Sequence, residues 1–198
     1  MMTGWGRVLL RLSSAAVRFF AQLEVEGSHR IPPSGPVIIC PNHLSVIDPL
    51  LLISCLDREL VFWAASYLFD IPLLGWILRQ GEVMPVQGVR QSMRAVRTTC
   101  RVLEAGRAVV MFPQGGVRSP GERVMPHRGA AFVATRTGAP LIPAAIFGSD
   151  RVLPVGRYLP RRGRVRLRFG EPLTGFREVS TLNAALARST EALLEDTS

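Results

Sequence analysis

The sequence predicts an α/β domain, a single domain with a mixed or mostly parallel sheet flanked by helices, and three observations carry that expectation. Short apolar, β-branched-rich runs recur through the chain, as at 37–41, 108–112 and 141–147. Segments with helical spacing, such as 89–105 and 180–195, separate them. Polar and glycine-rich clusters stand where strand patterns end, where sheets of this kind carry their reactive groups. At 198 residues the chain is long enough for one substantial core.

The first element is a helix expected over residues 5–23. Arg7, Arg11, Ser14, Arg18 and Gln22 recur at steps of three or four and form one stripe. Leu9, Leu10, Phe19, Phe20 and their neighbours fill the rest with apolar surface. A wide apolar arc with a narrow arginine stripe suits an amphipathic helix lying in a bilayer interface, although packing on the domain fits too. Arg18 interrupts the apolar segment and no small-residue cleavage pattern follows, which argues against a signal peptide. Residues 1–23 are therefore read as a membrane-surface helix and 24–198 as the body of the protein.

After the corner Ile31 to Pro36, strand and helix patterns alternate. Strands are expected near 23–27, 37–41, 60–64, 82–86, 108–112, 141–147 and 164–169. Helices are expected near 44–56, 66–78, 89–105, 128–137 and 180–195, with Gly106 as a helix stop and Ser180 as an N-cap. The run from Val61 to Leu78 is the nearest approach to a membrane span, but Asp70, Pro72 and Gly75 interrupt it. It reads as buried or membrane-dipping.

The net charge of +9 comes entirely from arginine, since the chain has no lysine. That excludes a Walker-type phosphate loop and Schiff-base chemistry from a protein lysine. Cys40, Cys55 and Cys100 lack paired spacing, and His29 and His127 lack ligand spacing, so neither a disulfide framework nor a metal site is expected. Seven arginines stand between Arg151 and Arg168, and Arg164, Arg166 and Arg168 share one strand face. A solvated outer face explains them, and so does docking on acidic lipid head groups. Nucleic acid is disfavoured because stacking aromatics and recognition motifs are missing beside the arginines.

Two clusters carry the chemistry. In the first, Asn42-His43-Leu44-Ser45-Val46-Ile47-Asp48, a histidine and a carboxylate stand five apart at a strand-to-helix junction. Five is the wrong spacing for one helix face, so the pair meets only if His43 lies on the entering loop. A carboxylate on one imidazole nitrogen leaves the other free to accept a proton, which makes a general base. A histidine that merely caps the helix is the alternative. The second cluster, Phe112 to Ser119, ends a buried strand in a glycine-rich loop with Arg118, whose planar fork suits phosphate or carboxylate. No Gly-x-Ser-x-Gly elbow is present, which disfavours an α/β-hydrolase route.

Together these clusters resemble the lysophospholipid (1-acylglycerol-3-phosphate) acyltransferase family. Its Asn-His-four residues-Asp block stands intact as Asn42 to Asp48. Its Phe-Pro-Glu-Gly-Thr-Arg-Ser block appears as Phe112-Pro113-Gln114-Gly115-Gly116-Val117-Arg118-Ser119, with Gln for Glu and one extra residue. Gly138 to Pro143 and Phe169 to Leu173 are similar to later blocks. Gly81 to Val86 is similar to the second block, but its arginine is replaced by Gln87-Gly88, and the nearest arginine is Arg90. Arg128-Gly129 is similar to a basic residue beside a glycine after the third block.

The resemblance implies acyl transfer from acyl-CoA or acyl carrier protein to a lysolipid hydroxyl. His43 and Asp48 would be the catalytic pair. Asn42, Arg90, Gln114, Gly115, Gly116, Arg118 and Ser119 would bind substrate, with the Gly115-Gly116 backbone offered to an oxyanion. No cofactor or metal is implied beyond the thioester donor, which is a substrate. The expected setting is the cytoplasmic side of an anionic membrane, with the protein peripheral or monotopic. The missing arginine and glutamate leave open an acceptor without phosphate, a thioesterase, or a lipid-binding relative without activity.

Overall fold

The computed structural model describes residues 13–70, 76, 78–79, 83–86, 88–122, 124–157 and 159–195. Its centre is a seven-stranded sheet ordered β1-β7-β6-β2-β5-β3-β4. The strands are β1 (Ala21–Glu26), β2 (Val37–Pro41), β3 (Leu60–Ala65), β4 (Val83–Val86), β5 (Ala108–Val110), β6 (Leu141–Phe147) and β7 (Gly163–Phe169). β2 to β6 run parallel to one another, while β7 is antiparallel to β6 and β1 runs parallel to β7. All seven strands stand where the apolar runs predict them, within a few residues at each end.

The central strands are buried on both faces, which is why β2, β5 and β6 read as continuous apolar runs rather than alternating ones. The helices are α1 (13–20), α2 (Asp48–Cys55), α3 (Gly88–Glu104), α4 (Gly129–Thr137), α5 (Ser149–Val152) and α6 (Val179–Glu195). Val37, Ile39 and Val110 face one layer with Leu51 and Leu52 of α2, and Val17 and Phe20 of α1 close over it. Ile38, Cys40 and Val109 face the other layer, formed by α3, α4 and α6 through Leu103, Val133, Leu182 and Leu186. Period-two alternation along each strand divides the core in this way.

Several sequence expectations need correction. The amphipathic helix expected to residue 23 ends at 20, because Ala21 already pairs with Gly163 in the sheet. The boundary drawn between residues 23 and 24 therefore falls inside β1, and residues 1–12 lie outside the described part. Within α1, Ser14 is buried and the Arg18 guanidinium donates to the Ser54 carbonyl at the end of α2 (3.2 Å). The polar stripe thus turns partly toward the domain, where a cation at a helix C-terminus is stabilising, while Phe19 is left exposed.

The helix expected over 44–56 begins only at Asp48. The one expected over 66–78 opens as a 3-10 turn, Ser66–Asp70, and most of its remainder lies outside the described residues. Of the apolar run 61–78, Val61 and Phe62 are buried in β3, and among the described residues no helix is long and apolar enough to cross a membrane. Ser180 lies inside α6, which starts at Val179. The short α5 was not anticipated; Gly148 opens it at φ 77, with the Arg164 carbonyl where a side chain would stand. The arginine strand is largely neutralised: Arg168 pairs with Glu26 (2.8 Å) and Arg166 with Glu24 (3.5 Å) across the edge strand β1.

Candidate active site

Two loops build the site, and both leave the carboxyl ends of strands that pair directly, β2 and β5. The first, 42–47, wraps around one carboxylate. Asp48 is the first residue of α2 and its side chain is fully buried. Its Oδ2 accepts from His43 Nδ1 (2.8 Å), from the Leu44 N–H (2.8 Å) and from the Ser45 N–H (2.9 Å). Burying a charged carboxylate costs several kcal/mol unless donors replace water, and three donors on one oxygen hold loop and helix in a single arrangement. Oδ1 is buried with no hydrogen-bond partner among the described residues. The tight turn explains the spacing: Asp48 N–H donates to the Ser45 carbonyl (3.1 Å), bringing residue 48 back beneath residue 43.

The second loop grips the same histidine. The His43 ring stacks on Phe112, with centroids 4.0 Å apart and planes 22° from parallel. The His43 N–H donates to Gln114 Oε1 (3.3 Å), and the His43 carbonyl accepts from the Arg118 N–H (2.8 Å). Three residues of the second cluster thus hold one residue of the first. The extra residue is absorbed at Gly115 and Gly116, whose φ angles of 74 and 155 a larger residue rarely adopts. At Gly115 the His127 ring lies where a Cβ would be, 2.8 Å from Nε2.

The substrate-binding expectations divide. Asn42 is buried and its amide makes two bonds to one residue: Nδ2 donates to the Ile146 carbonyl (3.0 Å), and Oδ1 accepts from the Ile146 N–H (2.6 Å). It pins the end of β2 to β6 and also lines the cavity described below. Gly115 N–H donates to the Phe112 carbonyl (3.2 Å), whereas among the described residues the Gly116 N–H makes no backbone hydrogen bond. Arg118 donates from Nη2 to the Gln114 carbonyl (3.0 Å) and pairs through Nη1 with Glu122 (3.3 Å). Glu122 also accepts from the Ser119 N–H (3.3 Å), closing a small turn. Arg90 sits in the first turn of α3, and its side chain lies outside the described part. Arg128 precedes α4 as its N-cap and is exposed.

A cavity of about 660 Å³ opens between the loop after β5 and α6. Leu44, Val124, Met125, Phe147 and Leu194 give it apolar walls, and Arg118, Glu122, Glu191 and Glu195 give it charge. Asn42 and Leu44 line it on either side of His43, whose own ring is turned toward Phe112.

Sequence reasoning missed the Phe112 stack and the Glu122 partner of Arg118. The first was hidden because Phe112 reads as the last residue of a strand; the second was available from the four-residue spacing on the loop.

An α/β sheet thus carries, at the carboxyl ends of its parallel strands, a histidine bound to a buried carboxylate beside a largely apolar cavity, the arrangement of an acid–base site next to a ligand pocket. The family model described as Acyltransferase matches residues 22–147, and the chain belongs to that acyltransferase family. Over 185 residues it is 26% identical to the chloroplastic 1-acyl-sn-glycerol-3-phosphate acyltransferase LPAT1 of Arabidopsis thaliana, covering 91% of this chain and 52% of that relative. Over 152 residues it is 29% identical to the 1-acyl-sn-glycerol-3-phosphate acyltransferase of Bacillus subtilis, covering 76% and 73% respectively. The chain spans about half the length of the chloroplast relatives it matches, 52% and 48%. The crystal structure of PlsC, the 1-acyl-sn-glycerophosphate acyltransferase of Thermotoga maritima, shares the fold with a TM-score of 0.79. That match covers 96% of this chain and 78% of the other at 24% identity.

Proposed function

We propose that the protein transfers a fatty acyl group from a thioester to a hydroxyl of a lysophospholipid such as 1-acylglycerol-3-phosphate. The observation that carries this is the His43–Asp48 contact at 2.8 Å in a chain of the acyltransferase family. The named activities of the Arabidopsis and Bacillus relatives support the acceptor class.

An alcohol is a weak nucleophile at neutral pH and must lose its proton as it attacks. With Nδ1 bound to Asp48, His43 Nε2 takes that proton while the alcohol oxygen bonds to the thioester carbonyl carbon. Asp48 stabilises the imidazolium. The tetrahedral intermediate's oxyanion is met by backbone N–H, with Gly116 the available donor of the pair. Collapse breaks the carbon–sulfur bond, and the thiolate leaves with the proton from His43. The products are the new ester and a free thiol, on coenzyme A or an acyl carrier protein. The chemistry asks for no cofactor.

Arg118 holds the acceptor's phosphate at the cavity, and Asn42 and Phe112 position His43. The work site is the surface of an anionic membrane, on its cytoplasmic side, with the protein peripheral or monotopic. A second reading, transfer to a hydroxyl acceptor without phosphate, is favoured by Glu122, which lines the cavity and already pairs with the Arg118 guanidinium that a phosphate would need.

A panel of lysophospholipids and neutral alcohols, offered with both donor types and followed by mass spectrometry, separates the readings. His43→Ala, folded by circular dichroism, should lose about 10²- to 10⁴-fold in acyl transfer. Unchanged turnover removes the histidine from the mechanism. Release of free acid that outpaces transfer would make the protein a thioesterase.

A further inference from the structure

Exposed apolar side chains gather at one end of this molecule. Leu159 is 81% exposed, Val155 75%, Val46 66% and Phe19 65%. β7 is antiparallel to β6, and β1 is parallel to β7, so both begin at the end where β2 and β6 finish. α1 leads into β1, the connection 153–162 leads into β7, and the turn containing Val46 follows β2. All three therefore stand at the end of the sheet that carries His43.

The described residues of the connection, 153–157 and 159–162, are held, not trailing. Ser45 Oγ donates to the Leu153 carbonyl (2.7 Å), tying it to the loop that wraps Asp48. Arg157 N–H donates to the Pro154 carbonyl (3.0 Å) and Arg161 N–H to the Val152 carbonyl (2.8 Å). The Arg162 guanidinium stands 4.8 Å from the centroid of the Phe19 ring, joining the connection to α1. Arg151, Arg157, Arg161 and Arg162 are all exposed. Among the described residues none of these four pairs with a carboxylate, whereas Arg166 and Arg168 on the adjoining strand do.

We propose that the connection 153–162 is a bilayer-docking element, inserting Val155 and Leu159 at the head-group boundary while Arg151, Arg157, Arg161 and Arg162 bind anionic lipid phosphates. Two aliphatic side chains standing almost wholly in water are an unfavourable surface in solution and a favourable one in lipid. Guanidiniums left without carboxylate partners supply the complementary charge, at about 1 kcal/mol each near an anionic surface. An anionic bilayer answers both features at once, taking the aliphatic side chains into its boundary and the guanidiniums onto its phosphates. Seated this way, the connection sets the site against the surface from which a lysolipid arrives. The inference rests on the reading of the protein as working at a lipid surface, and not on its chemistry.

The test uses the full chain and vesicles of phosphatidylcholine with and without phosphatidylglycerol. Flotation should require phosphatidylglycerol, and Arg157→Gln and Arg161→Gln should each lower the affinity about fivefold. Val155→Asp with Leu159→Asp should lower it at least tenfold, roughly, with acyl transfer from detergent-dispersed substrates unchanged. Because residues 1–20 can also hold the protein on vesicles, a direct reading accompanies these. Leu159→Cys carries an environment-sensitive fluorophore, selective because Cys40 and Cys100 are buried and burial pushes the Cys55 thiol up to about 12. Its emission should shift to shorter wavelength on vesicle-bound protein. A probe that stays in water on bound protein overturns the proposal. So does an unchanged vesicle affinity of the variants, or a loss confined to binding an acidic carrier protein. Vesicle docking through this connection by a protein that transfers no acyl group would leave the docking element standing and refute only the proposed chemistry.

Discussion

At the scale of the residue, the site is an arrangement of constraints on one imidazole. Asp48 takes its Nδ1, Phe112 takes one ring face, and Gln114 and Arg118 take the N–H and carbonyl of its backbone. Phe112 should act as a positioning residue. Phe112→Ala is expected to lower kcat about tenfold or more while leaving the acceptor KM near its original value, since a misplaced base loses transition-state contact rather than binding. Phe112→Tyr, which keeps the ring, should rescue most of that loss; steady-state kinetics over both substrates decide it. Arg118 is expected to behave differently. Arg118→Ala should raise KM for a phosphate-bearing acceptor about tenfold or more and affect a neutral acceptor far less, because a charged hydrogen bond contributes about 1.5–3 kcal/mol. Equal effects on both acceptors would remove it from head-group recognition.

At the scale of the element, the loop after β5 works only because two glycines let it take an extra residue and still return Arg118 to His43. Gly115→Ala should cost about 1–3 kcal/mol, from the left-handed backbone and from the His127 ring behind it. Turnover should fall with it, because Gln114 and Arg118 flank the glycine. Urea unfolding gives the first quantity and kinetics the second, and His127→Ala in the same chain should recover the part due to the ring. Helix α2 carries the dyad's acid on its first residue, and Leu52 anchors it in the core with no exposure. Leu52→Ala should destabilise the protein by about 2–5 kcal/mol, read from the denaturation midpoint.

These elements were unequally legible. The central strands β2, β5 and β6 were plain because strands buried on both faces must be apolar along their whole length, and the outer strands by their β-branched or alternating pattern between turn signals. The start of α2 was not: residues 44–47 are as apolar as a helix needs, and only the hydrogen bonds to Asp48 hold their backbone as a turn. His43 and Asp48 were legible as a pair only with the 112–119 cluster and the family block beside them, since five is the wrong spacing for one helix face, and the structure brings them to 2.8 Å. Asn42 was assigned to substrate because the motif contains it; its bonds to Ile146, a residue 104 positions away, were not legible in the sequence.

At the scale of the whole molecule, burial also sets how stability responds to pH. Burial raises the thiol of Cys40, and that of Cys55 to about 12 from its ordinary 9.0. Above about pH 8.5 the unfolded chain loses these protons while the folded protein keeps them, so stability falls as pH rises. The expected slope is up to about 1.4 kcal/mol per pH unit for each thiol. Denaturation midpoints measured between neutral pH and about 9.5 should show this, and replacing both cysteines by alanine should flatten it.

The sequence by itself determined the fold class and the strand positions, because periodicity is a local property of the chain, and it pointed to the His43–Asp48 pair through the motif that contains both. Only the tertiary structure decided that the polar stripe of α1 turns toward the domain, that Arg166 and Arg168 are neutralised across β1, and that the glycine loop grips His43. Each of these depends on which distant segments the sheet order makes neighbours, and strand order is set by the packing of the whole core rather than by any one stretch of residues.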